Sequence, residues 1–180
     1  MFKTIKEVLR TGNATVKYPF APLERPQDVR GKPEHNHVKC MVCSACAVAC
    51  PPNAIQTPLD MREGTKTWSI NYGRCVFCGR CEEVCPSKAI RLGTEFELAV
   101  MTKEDMEELC VYHLQACTQC GSHFAPAKQV AYVARILAQG KDTNTAAQKL
   151  EYAKVCPKCK QKYDVQRLME QSKEEGEWLC

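Results

Sequence analysis

The chain has 180 residues, a formal net charge of +4 and 14 cysteines, and this length predicts one or two small domains. No apolar stretch approaches the ~20 residues that a membrane-spanning helix needs, so we expect a protein that is not integral to the membrane. The positive charge does not form a dense basic stripe with interleaved aromatic residues, which argues against a nucleic-acid-binding protein.

Residues 1–37 predict a short amphipathic helix followed by a proline-rich docking arm. Residues 1–10 place four apolar side chains on one helical face. That face packs either on the protein's own surface or on a partner protein at a membrane surface, and the flanking basic residues favour the partner. Prolines in residues 18–34 predict little regular structure, so the arm is either a loose tether or a segment that lies along a partner. The apolar residues are Phe2, Ile5, Val8 and Leu9, and the prolines are Pro19, Pro22, Pro26 and Pro33.

Two cysteine runs with the same spacing, C-x2-C-x2-C-x3-C-P, follow one another at an offset of 35 residues. In bacterial two-cluster ferredoxins, the first three cysteines of such a run hold one [4Fe–4S] cluster and the fourth ligates the other cluster. The sequence therefore predicts two [4Fe–4S] clusters. The predicted ligands are Cys40, Cys43, Cys46 and Cys85 for the first cluster, and Cys50, Cys75, Cys78 and Cys81 for the second.

A disulfide framework or a zinc site is the alternative interpretation of these runs. The repeat continues beyond the cysteines, since each run ends in Pro, two variable residues and Ala-Ile, and such a long repeat argues against chance or zinc. Disulfide frameworks are typical of short secreted chains, but the N-terminus lacks the apolar segment of a secretory signal. We therefore expect reduced thiols and a cytoplasmic location.

Residues 38–100 predict an α+β fold with a bacterial two-cluster ferredoxin-like core, in which short hairpins and short helices form two pseudo-symmetric halves. A short helix should end each cysteine run, because a proline follows. The clusters would substitute for the apolar core that so short a segment lacks. The predicted strand pairs are Ile55–Thr57 with Thr67–Ile70 and Ile90–Leu92 with Phe96–Ala99, and the predicted helices pass through Ala47–Cys50 and Glu82–Cys85.

Residues 101–180 predict a mostly helical, metal-binding lobe. One helix is expected over about 103–112, where Thr102 can cap it, and another from Pro126 to Gln139, with Gly140 just beyond its end. Two C-x2-C pairs lie in the same region, and four thiolates suit a mononuclear zinc or a rubredoxin-like iron. Unliganded thiols or a redox disulfide are the alternative. The predicted metal ligands are Cys117, Cys120, Cys156 and Cys159.

The sequence leaves the roles of several other cysteines and histidines open. Cys110 is expected to be a buried helix residue and Cys180 a terminal thiol. Their roles stay open, as do those of His35 and His37. His113 and His123 flank the first C-x2-C pair and could replace a cysteine ligand. The chain has no nucleophile–base pair or phosphate-binding loop, so we expect no catalysis by it alone. Cluster-bound thiolates would lower the net charge from +4 to roughly zero, and a third four-thiolate ion would lower it to roughly −2.

Three segments resemble the two-cluster ferredoxin subunit of respiratory complex I and its membrane-bound hydrogenase relatives. They are Arg30–Pro33, the run CVFCGRCEEVCP at 75–86, and Phe96–Ala99. The start MFKTIKEVLRTG and the C-terminal cysteine pairs extend the likeness over nearly the whole chain. With them, the chain resembles the small iron–sulfur subunit of formate hydrogenlyase and hydrogenase-4 type complexes.

The resemblance implies an electron-transfer subunit within a membrane-associated [NiFe] hydrogenase complex, in which formate oxidation is coupled to hydrogen evolution. The implied partners are the hydrogenase small and large subunits, a membrane-arm subunit and an iron–sulfur electron-input subunit on the formate dehydrogenase side. It also implies a peripheral position on the cytoplasmic face of the inner membrane. The electron donor and the reduction potentials stay open. The alternative function is that of a soluble, diffusible ferredoxin.

Overall fold

The computed structural model describes residues 2–12, 15–21, 23, 25–26, 28–139 and 143–174. The described elements combine six helices with seven short strands. The helices are α1 (Phe2–Thr11), α2 (Ala45–Val48), α3 (Arg80–Glu83), α4 (Ala127–Ala138), α5 (Thr143–Ala153) and α6 (Pro157–Glu174). The strands are β1 (Pro33–His35), β2 (Ile55–Gln56), β3 (Leu59–Asp60), β4 (Thr65–Asn71), β5 (Ile90–Leu92), β6 (Glu107–Ala116) and β7 (His123–Pro126).

Strand β4 organises the larger sheet. Strands β2 and β3 both pair with one edge of β4, strand β6 pairs with the other edge, and β7 pairs with β6, all in antiparallel fashion. The register places Ile55 opposite Ile70, so the strand pair predicted between residues 55–57 and 67–70 is confirmed. These two isoleucines and Trp68 are almost completely buried and form the centre of the main core.

The helix predicted over 103–112 is wrong. A short 3₁₀ turn (Glu104–Met106) leads instead into the ten-residue strand β6. Cys110, Tyr112 and Leu114 alternate with exposed residues along β6, which is the period of a half-buried strand. Since β4 would otherwise expose a long unpaired edge, pairing with β4 outweighs the helical propensity of the glutamates and leucine. The prediction failed because this partner lies about 40 residues away in sequence.

The strand pair predicted between Ile90–Leu92 and Phe96–Ala99 is also wrong. Strand β5 pairs with β1 in a separate two-stranded sheet, and residues 96–99 form no strand. The arm takes that position through backbone hydrogen bonds, with the N–H of Gly31 donating to Gly93 at 2.9 Å and the N–H of Lys32 donating to Glu95 at 2.6 Å. This part of the arm therefore lies along the chain's own cluster segment rather than hanging free.

The remaining helices occupy the two ends of the chain. The predicted helix from Pro126 to Gln139 is confirmed as α4, which packs on α5 around Val130, Ala134 and Ala153. The predicted N-terminal helix is confirmed as α1, and none of its residues is buried. Within the part of the chain that the structure describes, no helix has both the length and the apolar character needed to cross a bilayer. The domain limits at 37/38 and 100/101 stay a prediction; β1 and β6 pair across them with β5 and β4.

Candidate metal centres

The eight cysteines of the two runs converge in two groups of four. One cavity is lined by Cys40, Cys43, Cys46 and Cys85, and another by Cys50, Cys75, Cys78 and Cys81. Each cavity takes three cysteines from one run and the fourth from the other run. The structure therefore brings together the same two sets that the spacing predicts as cluster ligands. Ligation itself stays a prediction.

The backbone around both cavities adopts a left-handed conformation at matching positions. Val42 and Phe77 have φ of 54° and 50°, and Asn53 and Lys88 have φ of 53° and 50°. Each pair is separated by 35 residues. Positive φ is uncommon for residues other than glycine and is concentrated at functional sites. These turns let the cysteines of one run point at a common centre, as ligation of a compact group requires.

Backbone N–H groups donate to the sulfur atoms at equivalent places. The N–H of Ala54 donates to the Sγ of Cys50 at 3.2 Å, and the N–H of Ala89 donates to the Sγ of Cys85 at 3.1 Å. Although burial opposes it, the N–H groups around Cys85 hold the pKa of its thiol below the ordinary value. Such donors favour thiolate, which is the form that binds iron.

Crowding and burial penalise ionisation of the other thiols. Burial raises the pKa of the Cys40, Cys46 and Cys75 thiols, and it raises the pKa of Cys81 to about 12. Neighbouring cysteines add to each of these shifts. Four thiolates therefore cannot share one of these cavities unless a positive group binds between them. A cationic iron–sulfide core fits this donor set.

Strand β4 adds two side chains to the first site that the sequence analysis did not identify. The Nζ of Lys66 donates to the Oγ of Ser44 at 2.7 Å and to the carbonyl of Val42 at 3.0 Å. Trp68 is buried and lines the cavity together with Cys46. The two-residue spacing of Lys66 and Trp68 predicts that they share one face of a strand. The sequence does not show that this face lies over the cysteines.

The four C-terminal cysteines form a third site. The Sγ atoms of Cys117, Cys120, Cys156 and Cys159 all lie within 4.8 Å of one another. The Sγ atoms of Cys120 and Cys156 are 3.7 Å apart, close to the roughly 3.8 Å between sulfurs in a tetrahedron with 2.3 Å metal–sulfur bonds. The end of β6 supplies the first pair and the start of α6 supplies the second. The structure thus brings together the four residues predicted as ligands of one ion.

The thiols of this third site have opposed acidities. Although burial acts in the other direction, backbone N–H groups of Cys156, Cys120 and Gln119 lower the pKa of Cys117 to about 6. The thiols of Cys156 and Cys120 raise the pKa of Cys159 to about 12. The Cys117 thiolate therefore forms readily, whereas Cys159 resists ionisation. This pattern is expected of neighbouring thiols that have no cation between them.

The remaining predicted residues lie outside these three groups. Among the described residues, the C-terminal metal group contains no histidine; His113 lies on β6 and His123 on β7. Cys110 is half-buried opposite Trp68. His35 stacks on Trp68 with ring centroids 3.7 Å apart, and burial lowers the pKa of its imidazole. His37 is exposed, and Cys180 lies outside the described residues.

Comparisons with known proteins show which proteins this chain resembles. The protein family described as a 4Fe-4S dicluster domain matches residues 39–89. Over 160 residues, the chain is 44% identical to formate hydrogenlyase subunit 6 of Escherichia coli (strain K12), and the match covers 89% of this chain and 88% of that protein. A chain from the membrane-bound sulfane sulfur reductase, an archaeal respiratory membrane complex, is 27% identical and covers 57% of this chain and 56% of its own length. Its TM-score of 0.43 is too low to establish a common fold.

Proposed function

We propose, because this chain belongs to the family of formate hydrogenlyase subunit 6, that it transfers electrons between partner subunits of a membrane-bound hydrogenase complex. The family predicted from the sequence is confirmed, and so is the assignment to an iron–sulfur electron-transfer protein of such a complex. No observation favours the alternative of a diffusible ferredoxin. We further propose that the chain carries no catalytic centre of its own and that the reactions occur in its partners.

The observation that supports this function best is the convergence of the two cysteine sets, each drawn from both runs. We propose that Cys40, Cys43, Cys46 and Cys85 hold one [4Fe–4S] cluster and that Cys50, Cys75, Cys78 and Cys81 hold the other. When bound, the clusters would supply one-electron transfer. The chain's own residues hold the sulfurs and donate backbone N–H groups to them. The matching turns 35 residues apart support a pseudo-symmetric core.

The four-cysteine site joins two distant parts of the chain. Cys117 follows β6 and Cys156 precedes α6, and the N–H of Cys156 donates to the Sγ of Cys117 at 3.2 Å. We propose that one zinc or rubredoxin-like iron binds here and fixes the helical lobe to the sheet. Metal analysis of the purified chain tests this, because it should give one metal ion beyond the iron of two clusters. Cluster iron with no further iron or zinc would contradict the proposal.

Helix α1 presents an exposed apolar face. Phe2 is 89% exposed and Leu9 is 78% exposed. We propose that this face contacts a membrane-arm subunit and that the chain lies peripherally on the cytoplasmic side of the inner membrane. The other proposed partners are the hydrogenase small and large subunits and an iron–sulfur electron-input subunit on the formate dehydrogenase side. Nucleic acid is not among them.

An anaerobic pull-down from detergent-solubilised membranes tests the proposed function. Mass spectrometry should find hydrogenase subunits, membrane subunits and one further iron–sulfur subunit with the tagged chain. Leu9→Asp should reduce recovery of the membrane subunits, since it places a charge on the apolar face of α1. Thr4→Asp is the matched control, because it adds the same single negative charge to this helix at a polar position. Recovery of the wild-type chain alone and only from the soluble fraction would contradict the proposal.

A further inference from the structure

The two cluster sites have similar backbones but different side-chain surroundings. Besides its cysteines, the second cavity is lined by Pro33, Pro52, Ile55, Val76, Phe77 and Gly79. None of these side chains can donate a hydrogen bond. The first cavity includes the indole of Trp68, and the ammonium group of Lys66 donates to Val42 and Ser44, which also line it. The sequence repeat therefore produces two sites that are equal in ligands and unequal in donors.

Trp68 is held as a donor with no acceptor. Its side chain is 1% exposed, and within the described residues its Nε1 has no hydrogen-bond partner. An unpaired buried N–H destabilises a protein unless an acceptor is supplied. Trp68 and Cys46 both line the first cavity, so a group bound there can supply that acceptor. The stacked ring of His35, whose centroid lies 3.7 Å from that of the indole, restricts Trp68 in this position.

Lys66 lies two residues before Trp68 on the same face of β4. Its ammonium group donates to Val42 and Ser44, which alternate with Cys40, Cys43 and Cys46 along the first run. Near the second site, a guanidinium N–H of Arg30 donates to the carbonyl of Cys78 at 3.2 Å. Arg30 is exposed, however, so water and salt screen its charge much more than that of the half-buried lysine.

One further difference follows from the 35-residue offset. The hydroxyl of Ser87 lies 3.7 Å from the Sγ of Cys85 in the first site. Its counterpart beside Cys50 is Pro52, which has no side-chain donor. The side-chain donors of Lys66, Trp68 and Ser87 thus all lie at the first site.

We propose that strand β4, through Trp68 and Lys66, raises the reduction potential of the cluster held by Cys40, Cys43, Cys46 and Cys85. The reduction potential of the other cluster is largely unaffected by these two residues. The inference rests on the proposed function, since it requires both clusters. Reduction adds one electron and therefore negative charge, which N–H donors and a nearby cation stabilise. The electron comes from dithionite in the test below, and no bond within the chain forms or breaks. Trp68 and Lys66 therefore act on electron transfer through the reduction potential of this cluster.

The test is a redox titration of the full-length chain, loaded with clusters and followed by EPR. Trp68→Phe keeps an aromatic ring against His35 and removes the N–H. It should lower the reduction equilibrium constant of one cluster by about tenfold, which corresponds to 59 mV for one electron. The other cluster should shift by less than a third of that amount. Cys43→Ser, at an exposed ligand of the first set, identifies the spectrum of the first cluster.

A second variant keeps the inference testable if Trp68→Phe does not fold. Lys66→Met removes the charge and should also lower the potential of the first cluster, whereas Lys66→Arg should largely restore it. Arg30→Met is the matched removal of a cation near the second site, and it should shift the second cluster less than Lys66→Met shifts the first. Equal shifts from Arg30→Met and Lys66→Met would overturn the proposal.

Iron and acid-labile sulfide are measured on every sample. A wild-type chain that holds no pair of [4Fe–4S] clusters would contradict the proposed function itself. If both clusters are present and neither Trp68→Phe nor Lys66→Met lowers the first potential, the proposed function stands and this inference is wrong. Unchanged iron content with a shift confined to the first cluster is the result that supports it.

Discussion

Replacing Gly31 by alanine should detach the arm from the loop that follows β5. A Cβ at this position would lie 2.7 Å from the backbone carbon of Thr94 and in still closer contact with the carbonyl oxygen of Glu95. Backbone atoms cannot move aside as a flexible side chain can. Three backbone hydrogen bonds would be lost, which link Gly31 to Gly93, Lys32 to Glu95, and Gly93 to Lys32. At about 1 kcal/mol each, their loss costs about 3 kcal/mol.

The loss should appear as faster escape of iron. A cost of about 3 kcal/mol increases the population of the opened arm roughly a hundredfold. Opening the arm also moves Arg30, whose guanidinium donates to the carbonyl of Cys78 in the second site. The assay follows the decay of visible cluster absorbance with an iron chelator under anaerobic conditions. Gly73→Ala is the control, because its Cβ would meet only the side-chain oxygen of Asn71, at 3.2 Å. Equal decay rates for the two variants would refute this reasoning.

Three other predictions concern the sheet and the third site. Ile70→Ala, at a residue 1% exposed, should cost about 2–5 kcal/mol of unfolding free energy. Val48→Ala, at a residue 87% exposed, should change it little. Equal losses of unfolding free energy in denaturant titrations of the two variants would contradict this prediction. Gly64→Ala, at φ of 65° and with a Cβ 2.6 Å from the His123 ring, should destabilise the protein, and His123→Ala in the same chain should recover only the part due to the clash. Cys120→Ser should remove one metal ion and keep the iron of both clusters; loss of cluster iron would contradict independent sites.

The sequence carried the information for the cysteine sets because ligand spacing is local. Within each run, turns at Val42 and Phe77 bring three cysteines to one centre, and the spacing of a run records those turns. The third site was also predictable, because two C-x2-C pairs each form a local turn. How β7, α4 and α5 return the chain from Cys120 to Cys156 was not predictable, and was not needed to identify the ligands.

The errors arose where a partner lies far away in sequence. Helical propensity favoured a helix over 103–112, but β4 supplies an edge that makes these residues a strand. Strand β5 pairs with β1, more than 50 residues earlier, so the nearby Phe96–Ala99 segment has no strand to join. The roles inferred for Trp68 and Lys66 depend on which face of β4 covers the first site. That depends on the register of the whole sheet.

Iron, acid-labile sulfide and EPR measurements on the anaerobically purified full-length chain test whether it holds two [4Fe–4S] clusters. We expect about eight cluster irons and about eight sulfides per chain, four of each for each cluster. We also expect two [4Fe–4S] signals that dithionite reduces by one electron each. Iron without sulfide, or one cluster that survives unchanged in both Cys43→Ser and Cys78→Ser, would contradict the account.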